Sequence, residues 1–219
     1  SAAPRHLAVA IPESDWRETM IRQIVAVLAL AVCGSMGAQA QMGGVKAPAI
    51  APGTIVSPAK SFDALLKIYE DEMMGLVNAM PADKYDFAPS AAIFKADQKA
   101  DYLSPDNKGV RSFGQMVGHV AQANYYFYGT AGGTKPDVDV KAIGSMKSKD
   151  DLVKALAASF AFAHQQIATL TAANAFASVR DDQTRASMVA FGIAHGFDHY
   201  GQLAEYLRMN GIGPPASQK

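Results

Sequence analysis

The sequence of 219 residues has little cysteine and no excess of charge of either sign. Its single cysteine excludes an internal disulfide framework and any metal site built from several cysteines. Lysine plus arginine and aspartate plus glutamate are equal at 20 each, so the basic surface that a nucleic-acid partner requires is absent. Apolar residues make up 49% and charged residues 18%, which is the balance of a globular protein and not of a disordered one.

A membrane-spanning run is also lacking near the start of the chain. The apolar stretch at residues 24–33 has about ten residues, whereas roughly twenty are needed to span a bilayer. It follows Met20 and Arg22 and precedes small residues that end in an A-x-A pattern at Ala40. This order predicts a secretory signal peptide over residues 20–40, with an uncleaved anchor as the alternative. We therefore expect a periplasmic or secreted protein with no stable membrane insertion after cleavage.

The residues on either side of this signal are not expected to belong to the folded domain. Residues 1–19 precede an export signal that should open a chain, so we interpret them as a non-native extension and Met20 as the natural start. Residues 41–60 are rich in glycine, proline and alanine and have no apolar period, which predicts a flexible linker. The domain is expected over residues 61–215.

Four segments have the apolar spacing of amphipathic helices, at about residues 61–80, 112–128, 148–170 and 184–210. The second opens with a capping box of Ser112 and Gln115, and Gly211 is suited to end the fourth. No convincing strand is present. The expected fold is therefore an all-α four-helix bundle.

Two of the connections are long. Residues 82–110 are polar, and a short helix near residues 91–94 is expected within them. Residues 132–147 contain Pro136, and a connection of this length in a bundle is typical of a crossover and not of a tight hairpin.

Two histidines of the fourth segment stand four residues apart and project from one helix face, His195 and His199. That face is otherwise largely apolar, and buried imidazoles cost free energy unless each finds a partner. A shared metal ion would satisfy both, and His119 on the second segment is a third inward candidate. Spacing alone leaves hydrogen-bonded core histidines as an equal alternative.

Four further polar residues are candidates for parts of a site. His164 is interpreted as a surface or boundary histidine, and Glu72 as a solvated residue with an inward acid or base as the alternative. Gln122 and Gln202 each follow a candidate ligand by three residues. They are interpreted as boundary polar residues, with orientation of the site as the alternative.

Three stretches of the sequence resemble the DinB-like family of metal-binding four-helix bundle proteins. They are MPADKYDFAP at residues 80–89, RSFGQMVGHV at residues 111–120 and HGFDHYGQL at residues 195–203. The resemblance covers about residues 61–215 and rests on the order and spacing of these stretches. It implies a bundle with a crossover link and a metal triad at His119, His195 and His199.

The resemblance names no single reaction. Three imidazoles leave a coordination position open, so the first hypothesis is a metal-dependent hydrolase of a small molecule whose identity is unknown. A non-catalytic metal-binding or sensing module is the second. Some relatives are thiol-dependent transferases. A transferase function of this kind needs the reduced thiols of the cytoplasm and conflicts with the predicted export. Non-covalent haem binding and a bundle without metal are further alternatives.

The cofactor and partners follow from the same residues. Three imidazoles suit zinc, nickel, copper and iron, and we expect a divalent zinc or nickel ion. A small-molecule substrate and a second copy of the chain in a homodimer are the expected partners, with no nucleic acid.

Overall fold

The computed structural model describes residues 50–90 and 110–218. The expected signal peptide, most of the linker and the short helix near residues 91–94 lie outside these residues. The described chain is mostly helical, which confirms the all-α prediction. Its α-helices are α1 (Pro58–Ala79), α2 (Phe113–Gly132), α3 (Val140–Ile143), α4 (Lys149–Ile167) and α5 (Arg185–Met209), with 3-10 turns at Ala82–Lys84 and Pro215–Ser217. Within this part of the chain, none of the helices combines the length and apolarity needed to cross a membrane.

The first long helix begins at Pro58 and not at residue 61, so the predicted linker is shorter than expected. Ser57 caps this helix, because its side chain accepts a hydrogen bond from the Lys60 amide at 3.2 Å. Proline is favoured at the first helical position because its missing N–H would have no partner there. The predicted stop at Pro81 is confirmed, since the helix ends at Ala79 with Met80 as its C-cap.

The second long helix begins with the predicted capping box. The Gln115 amide donates to Ser112 Oγ at 3.3 Å, and the Ser112 amide donates to Gln115 Oε1 at 2.9 Å. The helix continues to Gly132, beyond its predicted end near residue 128. It ends where Gly133 adopts the left-handed conformation (φ 72°), which glycine reaches without steric cost.

The four long helices form a bundle in which α1 and α2 each pack against both α4 and α5. The helices α2 and α4 run parallel, because Gly118 lies beside Leu152 at one end and Gly132 beside Gln166 at the other. The helices α2 and α5 are antiparallel, as the bond from Arg185 Nε to the Ala131 carbonyl (2.6 Å) shows at the end remote from the histidines.

The long connection between α2 and α4 therefore returns along the bundle, as predicted for a crossover. It contains α3, whose start is capped by Asp139 Oδ1 accepting from the amides of Lys141 (3.0 Å) and Ala142 (3.2 Å). Gln122 Nε2 donates to the Val140 carbonyl at 2.9 Å and fastens the connection to α2. This contact confirms the boundary interpretation of Gln122.

Two short strands precede α5, contrary to the expectation of no strand. They are β1 (Ser178–Arg180) and β2 (Gln183–Thr184), paired antiparallel around a turn in which Asp181 has φ 49°. Strands of three and two residues are too short to produce an alternating apolar pattern. The hairpin leads into Thr184, the N-cap of α5.

Candidate metal centre

The structure brings together the three histidines that the sequence singled out. His119 comes from α2, and His195 and His199 come from adjacent turns of α5. Each offers a ring nitrogen, and these nitrogens all lie within 4.8 Å of one another. His195 Nε2 and His199 Nε2 are 3.2 Å apart. The antiparallel packing of α2 on α5 thus joins a residue in the first half of one helix to residues around the middle of the other.

The donor set fits a divalent metal ion. Two nitrogens bound about 2.0–2.1 Å from a tetrahedral ion lie about 3.3–3.4 Å apart. The separation of 3.2 Å between the two Nε2 atoms of α5 is close to this value. Three imidazoles match zinc or nickel and leave a further position for water or substrate.

Burial keeps the three imidazoles in the neutral form that binds metal. It lowers the pKa of His119 to about 3, with the Arg111 guanidinium as the next cause. It also lowers the pKa of His195 to about 4, aided by His199. For His199, burial lowers the pKa and the hydrogen bond with Gln202 opposes it. At neutral pH the ring nitrogens therefore have lone pairs available to an ion.

Gln202 orients one of these rings. Its Oε1 lies 3.0 Å from His199 Nδ1, so it accepts the N–H of that nitrogen and leaves the lone pair on Nε2 facing His195. Gln202 Nε2 in turn donates to Asp198 Oδ2 at 3.2 Å. This hydrogen bond supports the alternative interpretation of Gln202, orientation of the site.

A cavity of about 530 Å³ lies against the three histidines. Its wall also contains apolar Val110 and Met116 and charged Arg111, Asp198 and Glu205. Three imidazoles, an apolar wall and a few charged groups therefore face one space, which is the usual composition of a small-molecule site.

None of these three charged residues was singled out from the sequence. Asp198 precedes a candidate ligand by one residue, and adjacent helical positions point in different directions, so the apolar stripe did not include it. Arg111 precedes the helix cap and has no periodic pattern. The signal that could have found it is its position just before the helix that carries His119.

His164 and Glu72 do not line the cavity. His164 bridges α4 to α1, with Nδ1 2.5 Å from Asp63 Oδ1 and Nε2 3.2 Å from Glu70 Oε2. Its side chain is partly exposed, which confirms the boundary interpretation. Glu72 is partly exposed on α1 and does not line the cavity. After burial, its charge is the next cause that raises the pKa of Tyr200.

A family model described as the DinB superfamily matches residues 65–203, well over half of the chain. This chain belongs to the DinB superfamily. The match confirms the resemblance found in the sequence, and it contains His119, His195, His199 and the oriented pair Asp198 and Gln202. No curated protein matches this DinB sequence.

Proposed function

We propose that this DinB protein is an exported metalloprotein that binds one divalent ion on His119, His195 and His199 and hydrolyses a small molecule with it. The observation that carries the proposal is the convergence of three imidazole donors, all within 4.8 Å, at the wall of one cavity. Zinc or nickel is the proposed ion, because both accept three nitrogen ligands.

The proposed chemistry needs a metal ion, an apolar cavity wall that limits access of water, and a group that accepts a proton. A divalent ion held here would lower the pKa of a coordinated water and polarise a substrate carbonyl or phosphoryl oxygen. Gln202 fixes the His199 tautomer, and Met116 keeps part of the wall apolar. Asp198 is the carboxylate suited to accept a proton, since Glu205 is already paired with Arg208 Nη1 at 2.5 Å.

Export is proposed from the signal pattern at residues 20–40. The test is expression of the chain from Met20 in a bacterium with a periplasm, followed by fractionation and N-terminal sequencing. We expect the protein in the periplasm or medium with Gln41 as its first residue. Recovery in the cytoplasm with an intact start would contradict export and would favour the thiol-dependent transferase.

The metal is tested by elemental analysis of protein purified without a metal-binding tag. We expect about one zinc or nickel ion per chain, lost in His119→Ala and in His199→Ala. His164→Ala is the matched control, because it removes a partly exposed histidine from another helix and should leave the metal content unchanged. A wild-type protein without stoichiometric metal, or one whose metal survives His199→Ala, would refute the metal site.

The catalytic part of the proposal has its own test. Cobalt-substituted protein is titrated with azide, and its visible spectrum should change as the anion enters the open position. Hydrolysis of small esters, lactones and phosphate esters is then assayed with the native metal and with the chelated protein. If the spectrum of the metal-loaded protein does not change with azide and the protein hydrolyses none of these compounds, the protein is the non-catalytic binding or sensing module.

A further inference from the structure

The guanidinium of Arg111 lies in the cavity wall, and the proposed chemistry gives it no role. In the described residues 50–90 and 110–218, the other arginines have partners for their side chains. These are Arg180 with Asp181 (3.7 Å), Arg185 with the Ala131 carbonyl and Thr169 Oγ1 (2.6 Å each), and Arg208 with Glu205 (2.5 Å). Within the same residues, no carboxylate lies at ion-pair distance from Arg111.

The main chain at Arg111 is held firmly in place. Tyr206 Oη donates to the Arg111 carbonyl at 3.1 Å, which ties this residue to α5. The next residues are fixed by the capping box and by the Phe113 amide, which donates to the Phe87 carbonyl at 2.8 Å. A cation on an anchored main chain can orient a ligand, because little freedom is lost when the ligand binds.

Arg111 lines the same cavity as His119, His195 and His199. Arg111 and the proposed ion therefore face the same small space. A cation close to a cationic metal centre costs free energy unless an anion lies between them.

We propose that Arg111 binds the acidic group of the substrate, a small organic carboxylate or phosphate whose reacting centre faces the three histidines. This inference rests on the proposed function and adds the substrate class to it. The planar guanidinium offers parallel N–H donors that match the two oxygens of such a group.

The two carboxylates of the wall, Asp198 and Glu205, each have a hydrogen-bonding partner. Asp198 is held by the Gln202 amide, and Glu205 by the Arg208 guanidinium. The wall itself holds one cation, Arg111, and two carboxylates, so it becomes positive once a divalent ion is bound by the histidines. The apolar neighbours Val110 and Met116 reduce competition from water and strengthen the attraction.

The test is anion binding to the cobalt-loaded protein, measured by calorimetry and by the visible spectrum in chloride-free buffer. The probes are benzoate and phenyl phosphate, with benzamide as a neutral analogue. We expect both anions to bind, benzamide to bind far more weakly, and Arg111→Gln to weaken the anions by about 10- to 100-fold. Arg111→Lys keeps the charge without the parallel donors and should give an intermediate affinity.

Arg180→Gln is the matched control, because it removes the same charge from the exposed hairpin outside the cavity and should change neither anion affinity nor metal content. Metal content is measured first for every variant. Equal affinity in wild type and Arg111→Gln, or no anion binding by metal-loaded wild type, overturns the inference and leaves the metal site standing. Failure of the wild type to take up cobalt overturns the proposed function itself.

Discussion

Replacing Gly196 by alanine would drive a methyl group into the ring of Tyr69. A Cβ built on this glycine would lie 2.6 Å from Tyr69 Cε1 and closer still to Cζ and Oη. The ring has no exposed surface and is enclosed by Phe160 (centroids 5.0 Å apart) and Phe197 (5.3 Å), so it cannot turn aside. The substitution must therefore move α5 away from α1 or distort the core.

The size of the effect follows from two opposed contributions. Overpacking a well-filled core costs about 1–3 kcal/mol, and an overlap this severe against an enclosed ring belongs at the upper end. Alanine favours the helix over glycine by about 1 kcal/mol. The net loss expected for Gly196→Ala is about 2 kcal/mol, which corresponds to a fall in Tm of about 4–8 °C for a domain of this size.

The matched control is Gly201→Ala on the same helix. Gly201 is exposed, and a Cβ built on it meets nothing within 4 Å. This variant should gain about 0.5–1 kcal/mol from helix propensity alone. Urea unfolding followed by far-UV circular dichroism measures both. Similar changes for the two variants, or a stabilised Gly196→Ala, would refute the packing argument.

The remaining predictions concern a buried polar pair, the site and pH. Ser159→Ala leaves the buried Asn124 amide, now 3.0 Å from Ser159 Oγ, without its acceptor, and should cost about 1–3 kcal/mol in urea unfolding with unchanged metal content. Gln202→Leu frees the His199 tautomer and should weaken metal affinity about 10- to 100-fold in a chelator competition. In metal-free protein the pKa of the site histidines is lowered, so the unfolded state gains protons first as the pH falls. The free energy of unfolding should drop from about pH 6.5 towards pH 4, and His119→Gln should make this drop smaller. A difference in unfolding free energy between wild type and His119→Gln that is the same at every pH would contradict the prediction.

The fold was largely predictable because its signals are local. Helix periodicity, the Ser112 capping box and the stop at Pro81 each depend on a few neighbouring residues, and all three are present in the structure. The end of α2 was missed because Gly129 and Gly132 read as terminators. Both are helical, and both are glycine where α4 or the α2–α4 connection packs so closely that a Cβ would collide.

Of the residues in the candidate site, only the three histidines could be predicted from the sequence. His195 and His199 share a face by spacing, and His119 was assigned by an apolar stripe and by the resemblance. Arg111 and Asp198 have no periodic signature, since their place in the cavity depends on how α5 packs against the start of α2. The hydrogen bond between Gln202 and His199 could not be predicted for a related reason: the partner of an exposed amide depends on its side-chain rotamer, which spacing does not specify.

The distance between the three candidate metal ligands depends on two glycines of α5. Gly192 and Gly196 stand on α5 with the same four-residue spacing as His195 and His199. A Cβ at Gly192 would lie 3.0 Å from Phe127 Cβ and 3.2 Å from Tyr128 Cζ, tighter than ordinary packing. Their lack of side chains lets α5 approach the aromatic rings of α2 and α1, and that approach brings the imidazoles of α5 within reach of His119. The geometry of the candidate metal centre therefore depends on core packing as well as on the three histidines, because a side chain that moves α5 away from α1 and α2 would also separate the donor atoms.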